Sequence, residues 1–204
     1  MLEILHDVRT QDTGSRSVPV AGVEGNFAWL MGGDPTPVPD TDNDEVAAFT
    51  AHLDDALHGL AAIASDEVDL RRMLSEAVVQ ATSRIEPRDP FDVWGAPRTS
   101  MVLANVTPHG VRLIQVGDVA WHISSSDGTV AESESGPAFA ELYQRTRGES
   151  RALRAKANEE DGYPLPVSVT SVRAFRPELV LIAGDWPWSR EGVAPARLRV
   201  QSDD

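Results

Sequence analysis

Apolar residues recur every three or four positions through two neighbouring segments in the first half of the chain. This spacing predicts two amphipathic helices. The first begins at Asp42, with Glu45 three residues later as in a capping box, and the second follows Asp66. Their inward faces are predicted to consist of Val46, Phe49, Leu53, Leu57, Leu60 and Ile63 in the first helix, and of Leu70, Met73, Leu74, Ala77, Val78 and Ala81 in the second. Two such helices in sequence favour a hairpin that covers one face of a sheet.

Apolar or alternating runs on both sides of these helices predict β-strands. The predicted strands span residues 2–9, 26–31, 99–106, 111–116, 119–123, 167–175, 179–183 and 196–200. The run at 179–183 is wholly apolar, which indicates a central strand. The dipeptide Gly117-Asp118 predicts a tight hairpin between the two strands that flank it.

Residues 137–158 are predicted to be mostly helical. With 204 residues, the chain has the length of one medium domain, and we predict a single domain over residues 1–204. The order of the elements predicts an α+β fold built on antiparallel strands.

The composition excludes several function classes. Lys and Arg together number 18 against 32 Asp and Glu, a formal net charge of −14. Such a chain repels phosphate backbones and anionic lipid, so we expect neither nucleic acid nor a membrane as partner. Cysteine is absent, which excludes disulfides and thiolate chemistry. No apolar run approaches the ~18 residues of a membrane span and no signal peptide is recognisable, so we predict a cytoplasmic protein.

Four landmarks in order resemble the type 2C (metal-dependent, PPM) serine/threonine protein phosphatases. They are the run Phe27-Ala28-Trp29-Leu30-Met31-Gly32-Gly33, the two helices, the pair Arg98-Thr99-Ser100 and Val116-Gly117-Asp118, and the strand at 179–183 that continues into Gly184-Asp185-Trp186-Pro187-Trp188. The resemblance covers most of the chain. It implies a degenerate small bacterial member, short at its C-terminus, with two antiparallel β-sheets sandwiched between helices.

The resemblance also implies site residues. Members of this family hydrolyse phosphoserine and phosphothreonine with two Mn²⁺ or Mg²⁺ ions that activate a water molecule. The implied metal-binding residues are Asp185, Asp118, Gly33 and Asp34, and the implied phosphate-binding residue is Arg16. Asp118 and Asp185 can also be plain turn or cap residues, and Arg16 an ordinary surface arginine.

The resemblance is incomplete at the positions that matter most for metal binding. The aspartate that bridges both metal ions in the family falls on Gly32, and two further expected carboxylates fall on Val20 and Ala21. The last expected ligand is an aspartate just before the final strand, for which the short C-terminus leaves no counterpart. Two divalent cations need several oxygen ligands to hold them against their own repulsion.

The sequence therefore leaves three functions open. The first is a pseudophosphatase that binds a protein or phosphopeptide, with no metal or only weakly bound Mn²⁺ or Mg²⁺. The second is an atypical active metal-dependent phosphatase, in which Asp34 or the C-terminal acids replace the lost ligands. The third is a scaffold protein that uses only the sandwich. A basic helical face formed by Arg147, Arg151 and Arg154 is either a solvated surface or a docking site for an acidic segment.

Overall fold

The computed structural model describes residues 2–8, 19–32, 43–65, 67–85, 99–117, 119–133, 167–183 and 196–202. Its strands are β1 (Leu2–Val8), β2 (Val20–Glu24), β3 (Phe27–Met31), β4 (Met101–Thr107), β5 (Gly110–Val116), β6 (Ala120–Ser125), β7 (Val130–Glu132), β8 (Val167–Arg173), β9 (Pro177–Ala183) and β10 (Ala196–Ser202). Its helices are α1 (Asn43–Ala61) and α2 (Leu70–Thr82).

The strands form two five-stranded sheets in which every pair of neighbours is antiparallel. The β4 sheet has the order β2-β3-β4-β5-β8, and the β9 sheet has the order β1-β10-β9-β6-β7. The predicted α+β fold with two antiparallel sheets is thus confirmed. The prediction that 179–183 is a central strand is also confirmed, since β9 is the third of five strands.

The main core lies between the two sheets. In β9 and β10 every second side chain points inward and is buried, as in Leu179, Leu181 and Leu198. β3 shows no such alternation, because all five of its residues are buried. A strand with both faces covered has no solvent side, so β3 must have a layer on its outer face as well.

The helices α1 and α2 supply that outer layer. Leu53 and Leu57 of α1 and Ala77 of α2 pack with Trp29 and Leu103 in a second hydrophobic cluster. The predicted helix hairpin on one face of a sheet is therefore confirmed. α2 begins one turn later than its predicted start, because the carboxylate of Asp69 caps it by accepting a hydrogen bond from the Arg71 N–H at 3.0 Å.

The prediction that Ile63 and Val78 face inward is wrong. Ile63 lies beyond the end of α1 and is 83% exposed. Val78 is 37% exposed, because the apolar stripe of α2 is narrower than the spacing alone indicates and its buried side passes through Leu74, Ala77 and Ala81.

The predicted hairpin at Gly117-Asp118 is wrong as well. β5 pairs with β4 and β8, whereas β6 pairs with β7 and β9, so this connection crosses from the β4 sheet to the β9 sheet. A short turn dipeptide is equally suited to a crossover between stacked sheets, and the sequence cannot tell the two apart. The strands β2 and β7 were not predicted, and the helix predicted at 137–158 lies outside the described residues.

Trp29 fixes the position of α1 over the sheet. Its ring is fully buried, and its Nε1–H donates to Asp54 Oδ1 of α1 at 2.7 Å. The edge of the His58 ring meets the same indole, with the ring centroids 4.7 Å apart. On β2 the indole lies over Gly22, where a Cβ atom would overlap it. In the described part of the chain, no helix is long and apolar enough to cross a bilayer.

Candidate functional site

One end of the sandwich gathers the strand ends that lead to the predicted site residues. In the β4 sheet a row of residues in register marks this end: Val20, Met31, Met101, Val116 and Val167. In the β9 sheet the corresponding ends are Ala183 of β9 and Ala196 of β10, which face each other. We call this end the candidate-site end. At the opposite end, tight turns at Gly25, at 107–110 and at 125–129 connect the strands.

The five predicted site residues, Arg16, Gly33, Asp34, Asp118 and Asp185, lie outside the described residues. Three chain positions that lead to them are described, namely Gly32, Gly117 and Ala183, and all three are at the candidate-site end. The topology thus brings the chain to one place at the points where the metal-binding residues are expected. The roles of the five residues remain predictions.

Gly32 directly follows β3, the second strand of the β4 sheet, and is buried. Its N–H donates to the carbonyl of Ser100 at 3.0 Å, which continues the ladder between β3 and the start of β4. A Cβ atom at this position would lie 3.1 Å from the Cβ of Pro19, closer than normal van der Waals contact. An aspartate at this position would require Pro19 to shift by a few tenths of an ångström.

Val20 and Ala21, which replace two further expected carboxylates, are the first residues of β2. Val20 pairs with Met31, and Ala21 pairs with Leu30. Ala21 is 8% exposed and belongs to the core between the sheets, while Val20 packs against the cluster under the helices. Both positions thus contribute apolar contacts, and a carboxylate in the place of Ala21 would be buried among hydrocarbon.

The crossover at Gly117 is held by a buried polar network that the sequence reasoning missed. Gln115 Nε2 donates to the Gly117 carbonyl at 3.4 Å, and Gln115 Oε1 accepts from Trp121 Nε1 at 3.1 Å. The backbone of Trp121 forms two hydrogen bonds with Ser133. Its N–H donates to Ser133 Oγ at 3.0 Å, and its carbonyl accepts from the Ser133 N–H at 2.9 Å. A glutamine next to the apolar residues Leu113 and Ile114 is the sequence signal that could have indicated this network.

Gly117 itself has a backbone that other residues rarely adopt, with φ at 71°. Its Cα lies against the side chain of Ser100, which a Cβ atom on Gly117 would overlap. The Ser100 hydroxyl is fully buried and has no hydrogen-bond partner among the described residues. Ser100 therefore serves as the packing surface for the crossover that immediately precedes Asp118.

No group of three or more His, Asp or Glu side chains among the described residues is arranged to hold a metal ion. His58 lies 3.4 Å from Glu24, and His122 lies 3.5 Å from Glu132, each as a partly exposed pair. The pair of His58 and Glu24 connects α1 with the end of β2 that is away from the candidate-site end. The pair of His122 and Glu132 connects β6 with β7. They give no support to a histidine metal site.

The two sheets and the helix pair define the fold class, which is that of the PPM-type serine/threonine phosphatases. No family model matches the chain, and no curated protein matches it in sequence. Solved structures match it over its full length. The serine/threonine phosphatase PstP/Ppp of Mycobacterium tuberculosis superposes with a TM-score of 0.59 at 11% identity, covering 100% of this chain and 99% of that chain.

Two further structures agree with this result. The phosphatase Stp1 of Staphylococcus aureus superposes with a TM-score of 0.58 at 12% identity, covering 100% of this chain and 96% of that chain. The catalytic domain of PstP in complex with two manganese ions superposes with a TM-score of 0.53 at 15% identity, covering 99% of each. At such identities the likeness shows the fold, and the protein is a phosphatase-like domain.

Proposed function

We propose that the protein is a cytoplasmic pseudophosphatase, in which a phosphatase-like domain has lost its binuclear metal centre and acts by binding a protein or phosphopeptide. The observation that carries this proposal is Gly32. It directly follows β3, where the resemblance expects the carboxylate shared by both metal ions, and Pro19 packs against it.

The chemistry explains why this position matters. Two divalent cations at ~3.5–4 Å repel each other, and a bridging carboxylate and a bridging water offset that repulsion. Without the carboxylate, the second ion has too few oxygen ligands near it. The remaining carboxylates would then supply too few ligands for metal-assisted hydrolysis, and binding of a partner would be the function left.

The other expected ligands support the same conclusion. Val20 and Ala21 contribute to hydrophobic packing, as described above. The final strand, β10, begins at Ala196, as predicted from the sequence. The four residues before it are Gly192-Val193-Ala194-Pro195, none of which carries a carboxylate. The expected last ligand is therefore missing because the residue types differ.

Asp118 and Asp185 are the two carboxylates that match the family pattern, with Gly33 and Asp34 as further oxygen donors. We propose that they bind Mn²⁺ or Mg²⁺ weakly at most, and that Arg16 contacts phosphate on a partner. Arginine suits this role, because its planar guanidinium group donates two parallel hydrogen bonds to phosphate oxygens.

A phosphatase assay tests the proposal. With p-nitrophenyl phosphate and millimolar Mn²⁺, the full chain is expected to hydrolyse the substrate no faster than buffer alone does. Asp185→Ala is expected to leave this rate unchanged. Asp55→Ala, on the exposed side of α1, is the matched control for loss of a carboxylate. Turnover that disappears in Asp185→Ala and persists in Asp55→Ala would instead establish the atypical active phosphatase.

A further inference from the structure

The β8 strand is an edge of the β4 sheet, and no other described strand pairs with its outward side. In the register of β5 and β8, Ala174 follows Arg173 and donates its N–H to the His109 carbonyl at 3.2 Å. Hydrogen-bonded positions alternate along an antiparallel pair, so Thr170 and Val172 also bond to β5. The N–H and C=O groups of Val169, Ser171 and Arg173 therefore point away from the sheet. None of the described hydrogen bonds uses these groups of Val169 or Ser171.

The other three sheet edges in the described structure each have a feature that hinders pairing with another chain. β2 has only five residues, and Gly22 at its centre weakens its strand character. β1 has a register shift between Ile4 and His6, and β7 has only three residues. β8 has seven residues in continuous register with no proline, lysine or bulge. Natural sheets usually protect such an edge, so an unprotected one marks a surface for strand addition.

The side chains along this edge indicate the charge of the added strand. β5 and β8 contain two arginines, Arg112 and Arg173, and no acidic residue, in a chain whose net charge is −14. Arg173 is exposed on the same face as Val169, which is 48% exposed beside Ile114. No described ion pair includes Arg173. A second copy of this acidic chain is disfavoured here by charge repulsion.

We propose that β8 binds an extended acidic peptide segment of a partner protein, which adds to the β4 sheet as a sixth, antiparallel strand. In antiparallel register, an acidic side chain of the peptide faces Arg173, and a β-branched side chain four residues later faces Val169. The inference goes beyond the proposed function and holds whether or not the domain hydrolyses phosphate, because β4 and β5 lie between β8 and the strand that leads to Gly32.

Fluorescence anisotropy tests this with the full chain and a fluorescein-labelled peptide that contains Glu-Thr-Thr-Thr-Val. The expected result is saturable binding that weakens about tenfold in Val169→Pro, since proline removes one outward N–H and blocks close approach. The ladder to β5 stays intact in this variant, because the N–H of Val169 points away from β5. Val169→Thr, which keeps the N–H and the shape of the side chain, is the matched control and should bind as the unmodified chain does.

A charge swap provides a second test that does not depend on proline. Arg173→Glu is expected to weaken binding of this peptide several-fold and to prefer a peptide in which lysine replaces the glutamate. Equal binding by Val169→Pro or no saturable binding by the unmodified chain would overturn the proposal. So would a dimer seen by light scattering that Val169→Pro abolishes, since the edge would then belong to a second copy. The phosphatase assay is unaffected by any of these outcomes.

Discussion

Gly22 shows how one residue fixes the distance between a helix and a sheet. It lies on β2 beneath the indole of Trp29, in a space that a Cβ atom would overlap. The indole is also held from above, since its Nε1–H donates to Asp54 of α1. The absence of a side chain at Gly22 is therefore what allows Trp29 to lie flat between β2 and α1.

Gly22→Ala should lower the free energy of unfolding by about 1–3 kcal/mol, because the added methyl group overpacks a rigid aromatic contact. The matched control is Gly59→Ala. Gly59 lies within α1 with no atom within 4 Å of an added Cβ, so alanine there should stabilise the protein by about 0.5–1 kcal/mol through helix propensity. Urea unfolding measures both. Equal effects of the two substitutions would show that Gly22 has no special packing role.

At the scale of elements, two turns at the end opposite the candidate site join the two sheets through one carboxylate. Asp127 lies in the β6–β7 turn and accepts from the Thr129 N–H at 2.9 Å. Its second oxygen accepts from the N–H of Phe175, in the β8–β9 turn, at 3.3 Å. Hydrogen bonds from Thr129, then Ser125 and then Phe175 stabilise the ionised form and lower the pKa of Asp127 to about 2.

This shift predicts a pH dependence. Because the pKa is lower in the folded chain than the ordinary value of 3.8, the ionised carboxylate stabilises the fold above about pH 4. That stabilisation is lost as the pH falls towards 2. The difference in urea midpoint between the unmodified chain and Asp127→Asn should therefore be largest at neutral pH and disappear near pH 2. Ser125→Ala, which removes one donor, should move the loss to higher pH. A difference that is constant from pH 2 to 7 would contradict this account.

An element could be predicted when the apolar pattern of its own residues was enough to define it, and not when it depended on which strand it pairs with. Burial alone explains the apolar patterns of α1 and β9, and both were predicted. In α1 the pattern is the stripe through Phe49, Leu53 and Leu57. β2 begins in a region that the resemblance had marked for ligands, and its strand character depends on pairing with β3. The crossover at Gly117 depends on which sheet receives the next strand, which no local pattern specifies.

The candidate site is known only through the chain positions that lead to it. Gly32, Gly117 and Ala183 lie at one end of the sandwich. The role of Ser100 could not be predicted, because it is a contact between residues from different strands, and Gln115 signals a buried polar partner without specifying Trp121. The five site residues remain predictions.

At the scale of the whole molecule, the net charge of −14 must be separated from specific metal binding. Acidic surfaces attract divalent cations weakly and without fixed geometry. Calorimetric titration with Mn²⁺ should therefore show only weak heats at millimolar metal, unchanged in the double variant Asp118→Ala, Asp185→Ala. A site of micromolar affinity, ~8 kcal/mol, that this variant removes would instead support the active phosphatase.

The sheet order also has a consequence for the time at which the chain can fold during synthesis. Among the described strands β1 joins the β9 sheet through β10, with Leu2 opposite Ser202, so β1 cannot pair until synthesis has passed β10. The strands of the β4 sheet, in contrast, all lie between Val20 and Arg173. Long-range pairing of this kind slows folding. A nascent chain can therefore complete the β4 sheet while the β9 sheet still lacks β10, the strand that joins β1 to β9.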